Sequence, residues 1–127
     1  MTISIEPRPL KAQERALVEF RRSADFPGRD ELRSQLNSVE AVGMCECGCG
    51  TVSVLVKSSV PRATCREPVP VEAHGDEIEV LLFVRGGLLT SLEIVDYGDK
   101  RPLPYPRPDE LKLWVPLPGK PQTRSGN

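Results

Sequence analysis

Residues 77–97 read EIEVLLFVRGGLLTSLEIVDY, from Glu77 to Tyr97, and the fold turns on how this stretch is read. Two β-prone runs flank Gly86-Gly87, a pair that supplies the positive φ angles a two-residue hairpin turn requires. In the first run Ile78, Val80, Leu82 and Val84 alternate onto one face. The other face carries Leu81 and Phe83 beside Glu77, Glu79 and Arg85. A sheet wet on one side shows polar residues throughout its outer face. The mixed second face therefore predicts a central strand that is covered, at least in part, on both sides.

Period-two patterning extends upstream. TVSVLVK (51–57) places Val52, Val54 and Val56 on one face. VPVEAH (69–74) is a weaker strand, demoted towards an edge by Pro68 and Pro70. Before residue 39 the period is helical. Leu17, Phe20 and Ala24 follow +3, +4 spacing in a helix expected over 10–24, and Leu32, Leu36 and Val39 recur at i, i+4, i+7 in a second, shorter one. Asp25-Phe26-Pro27-Gly28 separates the two. The expectation is an α+β fold: two N-terminal helices packed on an antiparallel meander of four or five strands. Proline at positions 102, 104, 106 and 108 predicts an extended C-terminal strap, and Leu111, Leu113, Trp114 and Val115 are candidates to cover the second face. A chain of 127 residues reads as a single domain, here 1–119, with 120–127 expected to be a disordered tail.

Charge is unevenly distributed. Residues 67–99 hold eight acidic residues against the single basic Arg85, whereas the whole chain has a net charge of −1. An acidic centre argues against nucleic acid, whose phosphates need the opposite sign, and favours a protein with a basic surface. The N-terminal MTISIEPRPLK has no apolar core of signal-peptide length and no run approaches a membrane span, so a cytoplasmic protein without a membrane partner is expected.

Met44–Val52, MCECGCGTV, places Cys45, Cys47 and Cys49 at alternate positions; Cys65 and the only histidine, His74, follow within thirty residues. Thiolates and an imidazole are ligands that zinc selects. Zinc knuckles, however, use C-x₂₋₄-C spacing, and C-x-C-x-C lacks the residue that turns two sulfurs inward. The competing reading is a hairpin end whose glycines set the turn and whose cysteines pack as small hydrophobes. Catalytic signals are sparse. A Cys65–His74 dyad has no identifiable orienting group, neighbouring carboxylates read as a solvated face, and the chain has neither a G-x-G-x-x-G motif nor a P-loop. A non-enzymatic chain without a cofactor is expected, with structural zinc as the alternative.

The segments Cys45–Val52 (C-x-C-G-C-x-T-V) and Gly87–Glu93 (G-x-L-x-x-L-E), within residues 10–110, resemble small proteins of high-GC actinobacteria. In size, layout and acidic face the chain is also similar to immunity proteins of bacterial toxin systems. That second resemblance implies a protein-binding domain working by occlusion of a basic site. The expected surface is Glu72, Asp76, Glu77 and Glu79, with Leu81 and Phe83 as apolar anchors. The alternative zinc site comprises Cys45, Cys47, Cys49 and Cys65, with His74 as a substitute ligand.

Overall fold

The computed structural model describes residues 2–20, 24–46, 50–57, 59–98 and 106–115. In chain order the elements are β1 (Thr2–Arg8), α1 (Ala12–Phe20), α2 (Arg29–Gln35), β2 (Glu40–Cys45), β3 (Val52–Leu55), β4 (Glu72–Gly75), β5 (Ile78–Arg85), β6 (Leu88–Asp96) and β7 (Lys112–Trp114). The strands form one seven-stranded sheet in the order β1-β2-β3-β6-β5-β4-β7, and every neighbouring pair is antiparallel. The α+β class with an antiparallel sheet is as expected.

Among the described residues the strands number seven, not the expected four or five. β1 contains Pro7, which argues against a strand by sequence, but an edge strand tolerates proline where no ladder partner is needed. β7 has only three residues, too few for a visible alternation. It also replaces part of the expected strap: Lys112, Leu113 and Trp114 pair with His74, Ala73 and Glu72. Leu111 is buried and Leu113 packs against the core on the helix side, so of the expected covering residues only Trp114 projects from the other face. Residues 101–105 of the strap and 120–127 of the tail lie outside the described residues.

The anchoring hairpin forms as its sequence requires. Gly86 and Gly87 have φ of 60° and 80°, and Arg85 pairs with Leu88 across the turn. Val80, Leu82 and Val84 of β5 and Leu89, Leu92 and Ile94 of β6 are buried with Leu17, Val18, Leu32 and Leu36 from the helices. The helices therefore cover the inner face of the sheet.

Two buried polar side chains fix how the helices sit. Glu14 is fully buried on α1; its carboxylate takes both terminal nitrogens of Arg8 at 2.9 Å and accepts the Lys11 N–H at 2.8 Å. One group thus caps α1 and ties it to β1 through a paired, charge-assisted contact. Gln35, also fully buried, ends α2. Its Nε2 donates to Pro61 O at 2.9 Å and Gly87 O at 2.8 Å, while its Oε1 accepts from Leu89 N at 3.0 Å.

The same tip is held by the crossover from β3 to β4. Ala63 N donates to Gly87 O, Gly87 N to the Glu67 carboxylate, Arg62 Nη1 to Gly86 O, and Val84 N to Pro68 O. The approach is close enough that a Cβ on Gly87 would lie 2.7 Å from Arg62 Cβ and 2.8 Å from Ala63 O. Gly28, the α2 cap at φ 89°, meets the crossover in the same way at Ala63 and Cys65.

Gln35→Ala leaves the buried Leu89 N–H without its acceptor and opens a cavity. The expected loss is about 3 kcal/mol of unfolding free energy in urea titration. Gly87→Ala is expected to destabilise by a comparable amount, because strain and collision act together. An unchanged urea midpoint for Gln35→Ala would show that the amide does not hold the tip.

Candidate interaction face

The β4–β5 turn sets the register that builds the outer face. Gly75 pairs with Ile78, so His74 faces Glu79, Ala73 faces Val80 and Glu72 faces Leu81. Side chains alternate along a strand, and Ala73 and Val80 are buried beneath the helices. Glu72, His74, Glu79 and Leu81 therefore project from the opposite, outer surface. β6 adds Glu93 opposite Leu81, Val95 opposite Glu79 and Ser91 opposite Phe83, and β7 adds Trp114 beside Glu72 and Lys112 beside His74.

This face is amphipathic. Leu81, Phe83 and Val95 are partly buried by their neighbours, while Trp114 is 45% exposed and Tyr97, following β6, is 67% exposed. Apolar groups of this size alternate with Glu72, Glu79 and Glu93.

The expected anchors Leu81 and Phe83 thus share a face with Glu72 and Glu79. Asp76 and Glu77 do not lie on the flat of the sheet. They form the turn at its end, where Glu77 adopts φ 59° and its carbonyl accepts the Tyr97 N–H. A non-glycine residue in the left-handed region costs of order 1 kcal/mol, so the turn holds an acidic side chain outward at some expense in stability.

Polar contacts order the carboxylates. His74 Nε2 lies 2.9 Å from Glu72 Oε1, and Nδ1 lies 3.2 Å from Glu79 Oε2. The Tyr97 hydroxyl donates to Glu79 Oε1 at 2.8 Å. This Glu–His–Glu grouping was not foreseen. Its signal lay in the turn: once Gly75 pairs with Ile78, the 74–79 pairing follows.

The expected cysteine cluster fares differently. Cys45 ends β2, and its N–H donates to Thr51 O across the β2–β3 hairpin, so the described ends of the cysteine-rich stretch close a hairpin. Cys47 and Cys49 lie outside the described residues. His74 lies away from Cys45: β4 and β2 are four strand spacings apart, about 19 Å. Cys65 packs against the inner-face core, beside Gly28, so the sheet also separates it from His74. Burial pushes the Cys65 thiol above its ordinary range, and the Glu67 carboxylate adds to the shift.

Two open grooves lie on the helix side, of about 440 and 650 Å³. They share Arg15, Leu36 and Asn37, and neither is lined by a cysteine or a histidine. No described helix is long and apolar enough to cross a membrane. Comparison with protein-family models, curated proteins and solved structures finds no match.

The Cys65 shift has a definite sign. The folded chain holds this proton more tightly than the unfolded chain, so its contribution to stability is present below the ordinary thiol value of about 8.5 and is lost as pH rises beyond it. Cys65 is expected to alkylate more slowly at pH 8 in the native protein than in urea. Equal rates in the two states, followed by mass spectrometry of the Cys65 peptide, would contradict its placement.

Proposed function

We propose that this chain is a non-enzymatic protein-binding domain, of the immunity or regulatory kind, that docks a basic partner on its outer sheet face. The observation that carries the reading is the face itself, where Leu81, Phe83 and Trp114 are interleaved with Glu72, Glu79 and Glu93 on the side of the sheet opposite the helices. Aromatic and aliphatic groups beside charges are the composition of a docking surface: the apolar groups supply residence and the carboxylates supply steering. Asp76 and Glu77 at the turn, with Asp96 facing Ile78 at the end of β6, extend the negative field to one rim.

The mechanism is occlusion. A basic site on the partner, drawn in by the carboxylates, is covered by a rigid antiparallel surface whose backbone moves little on binding. Charge alone makes such an encounter fast; Trp114 and Phe83 are the groups expected to slow dissociation.

The reading is tested by placing a photo-crosslinking amino acid at position 114, and at the exposed Arg33 on α2 as a control, in the protein's own host. Position 114 is expected to capture one protein with a basic surface, and position 33 none. Capture at 114 is further expected to fall about tenfold when Glu72→Lys and Glu79→Lys are combined. Capture unaffected by charge reversal, or equal at both positions, would remove this face from consideration.

A further inference from the structure

We propose that Glu72, His74 and Glu79 form a site for one divalent transition-metal ion of the zinc class, on the outer face of β4 and β5. Each residue offers one ligand atom, and these atoms lie within 4.8 Å of one another. In a site with metal–ligand bonds near 2.1 Å, ligand atoms sit about 3.4 Å apart. Glu72 Oε1 lies 2.9 Å from His74 Nε2 and Glu79 Oε2 lies 3.2 Å from His74 Nδ1, so both carboxylates flank the imidazole, and rotation of side chains is what brings them to one of its nitrogens.

Three features separate this trio from carboxylates scattered over a solvated surface. One of its members is an imidazole, the side chain that makes a mixed nitrogen–oxygen site attractive to zinc, cobalt or nickel over magnesium or calcium. All three sit on a paired ladder, with His74 directly opposite Glu79, so their spacing is set by strand geometry and not by a loop. The third is support from outside the trio: the Tyr97 hydroxyl holds Glu79 Oε1, leaving Oε2 turned to His74, an orienting contact typical of metal-binding carboxylates. The two carboxylates are also only 19% and 23% exposed, at Glu79 and Glu72.

Charge balance is suitable. Two carboxylates neutralise a divalent ion, and a neutral imidazole adds a nitrogen ligand without further charge. Lys112 lies level with His74 on β7, and its ammonium opposes the cation. Three protein ligands leave coordination positions open to water or to a side chain of a docked molecule. The inference does not depend on the docking proposal, since the ligands all come from this chain.

Cobalt(II) is the probe, because it substitutes for zinc, shifts nearby amide resonances, and gives sulfur-to-metal absorption only when thiolates bind it. With the full reduced chain, one equivalent is expected to shift amides centred on residues 72–79 without thiolate absorption. His74→Ala and Glu79→Gln are each expected to weaken binding by at least about tenfold, with unchanged urea midpoints, and Lys112→Ala to tighten it. Shifts centred on Cys45 with thiolate absorption, affinity unchanged in His74→Ala, or no shifts at millimolar cobalt would each overturn the proposal.

Discussion

The buried amide of Gln35 is the contact on which the arrangement depends. It ends α2 and bonds three backbone groups from two distant segments: Pro61 in the crossover, and Gly87 and Leu89 at the β5–β6 tip. Val84 and Leu89 face each other just inside that hairpin, and their N–H groups find acceptors in Pro68 and Gln35 instead of another strand. A buried amide is costly to leave unpaired and specific when fully paired. Gln35 therefore fixes which face of the hairpin the helices cover. The Arg8–Glu14 pair does the same for α1 at the other end of the sheet.

Once the helices are committed to the inner face, the outer face is built by register alone. That coupling makes the β4–β5 turn consequential. Pairing Gly75 with Ile78 sends Ala73 and Val80 into the core and sends Glu72, His74, Glu79 and Leu81 out. A slip of one residue would exchange the two sets. The acidic and apolar groups proposed to meet a partner, and the ligands proposed to hold a metal, thus share one structural cause.

Much of this was legible in the sequence. Gly86-Gly87 between two alternating runs announced the hairpin, and Leu32, Leu36 and Val39 announced the buried stripe of α2. The same pattern shows why the clamp was missed. Gln35 lies one residue from Leu36 and three from Leu32, so it belongs to the buried side, but nothing local says which backbone groups a buried amide will meet. β1 was hidden by Pro7, and β7 by its three-residue length. The mixed outer face of β5 predicts a cover, yet the expected covering residues lie elsewhere: β7 extends the edge of the sheet, and Leu111 and Leu113 serve the core. His74 was grouped with the cysteines by sequence distance, whereas strand order puts it among carboxylates.

α2 locks the β5–β6 tip from the inner side, and amide hydrogen exchange reads that lock directly. Hairpin tips ordinarily exchange by local fraying. The Gly87 and Leu89 amides of the native chain are expected to exchange as slowly as those of Val80 and Leu82 in the middle of β5, requiring global unfolding. Fast exchange at Gly87 and Leu89 with slow exchange at Val80 and Leu82 would contradict it, showing a tip that opens freely while the sheet stays intact.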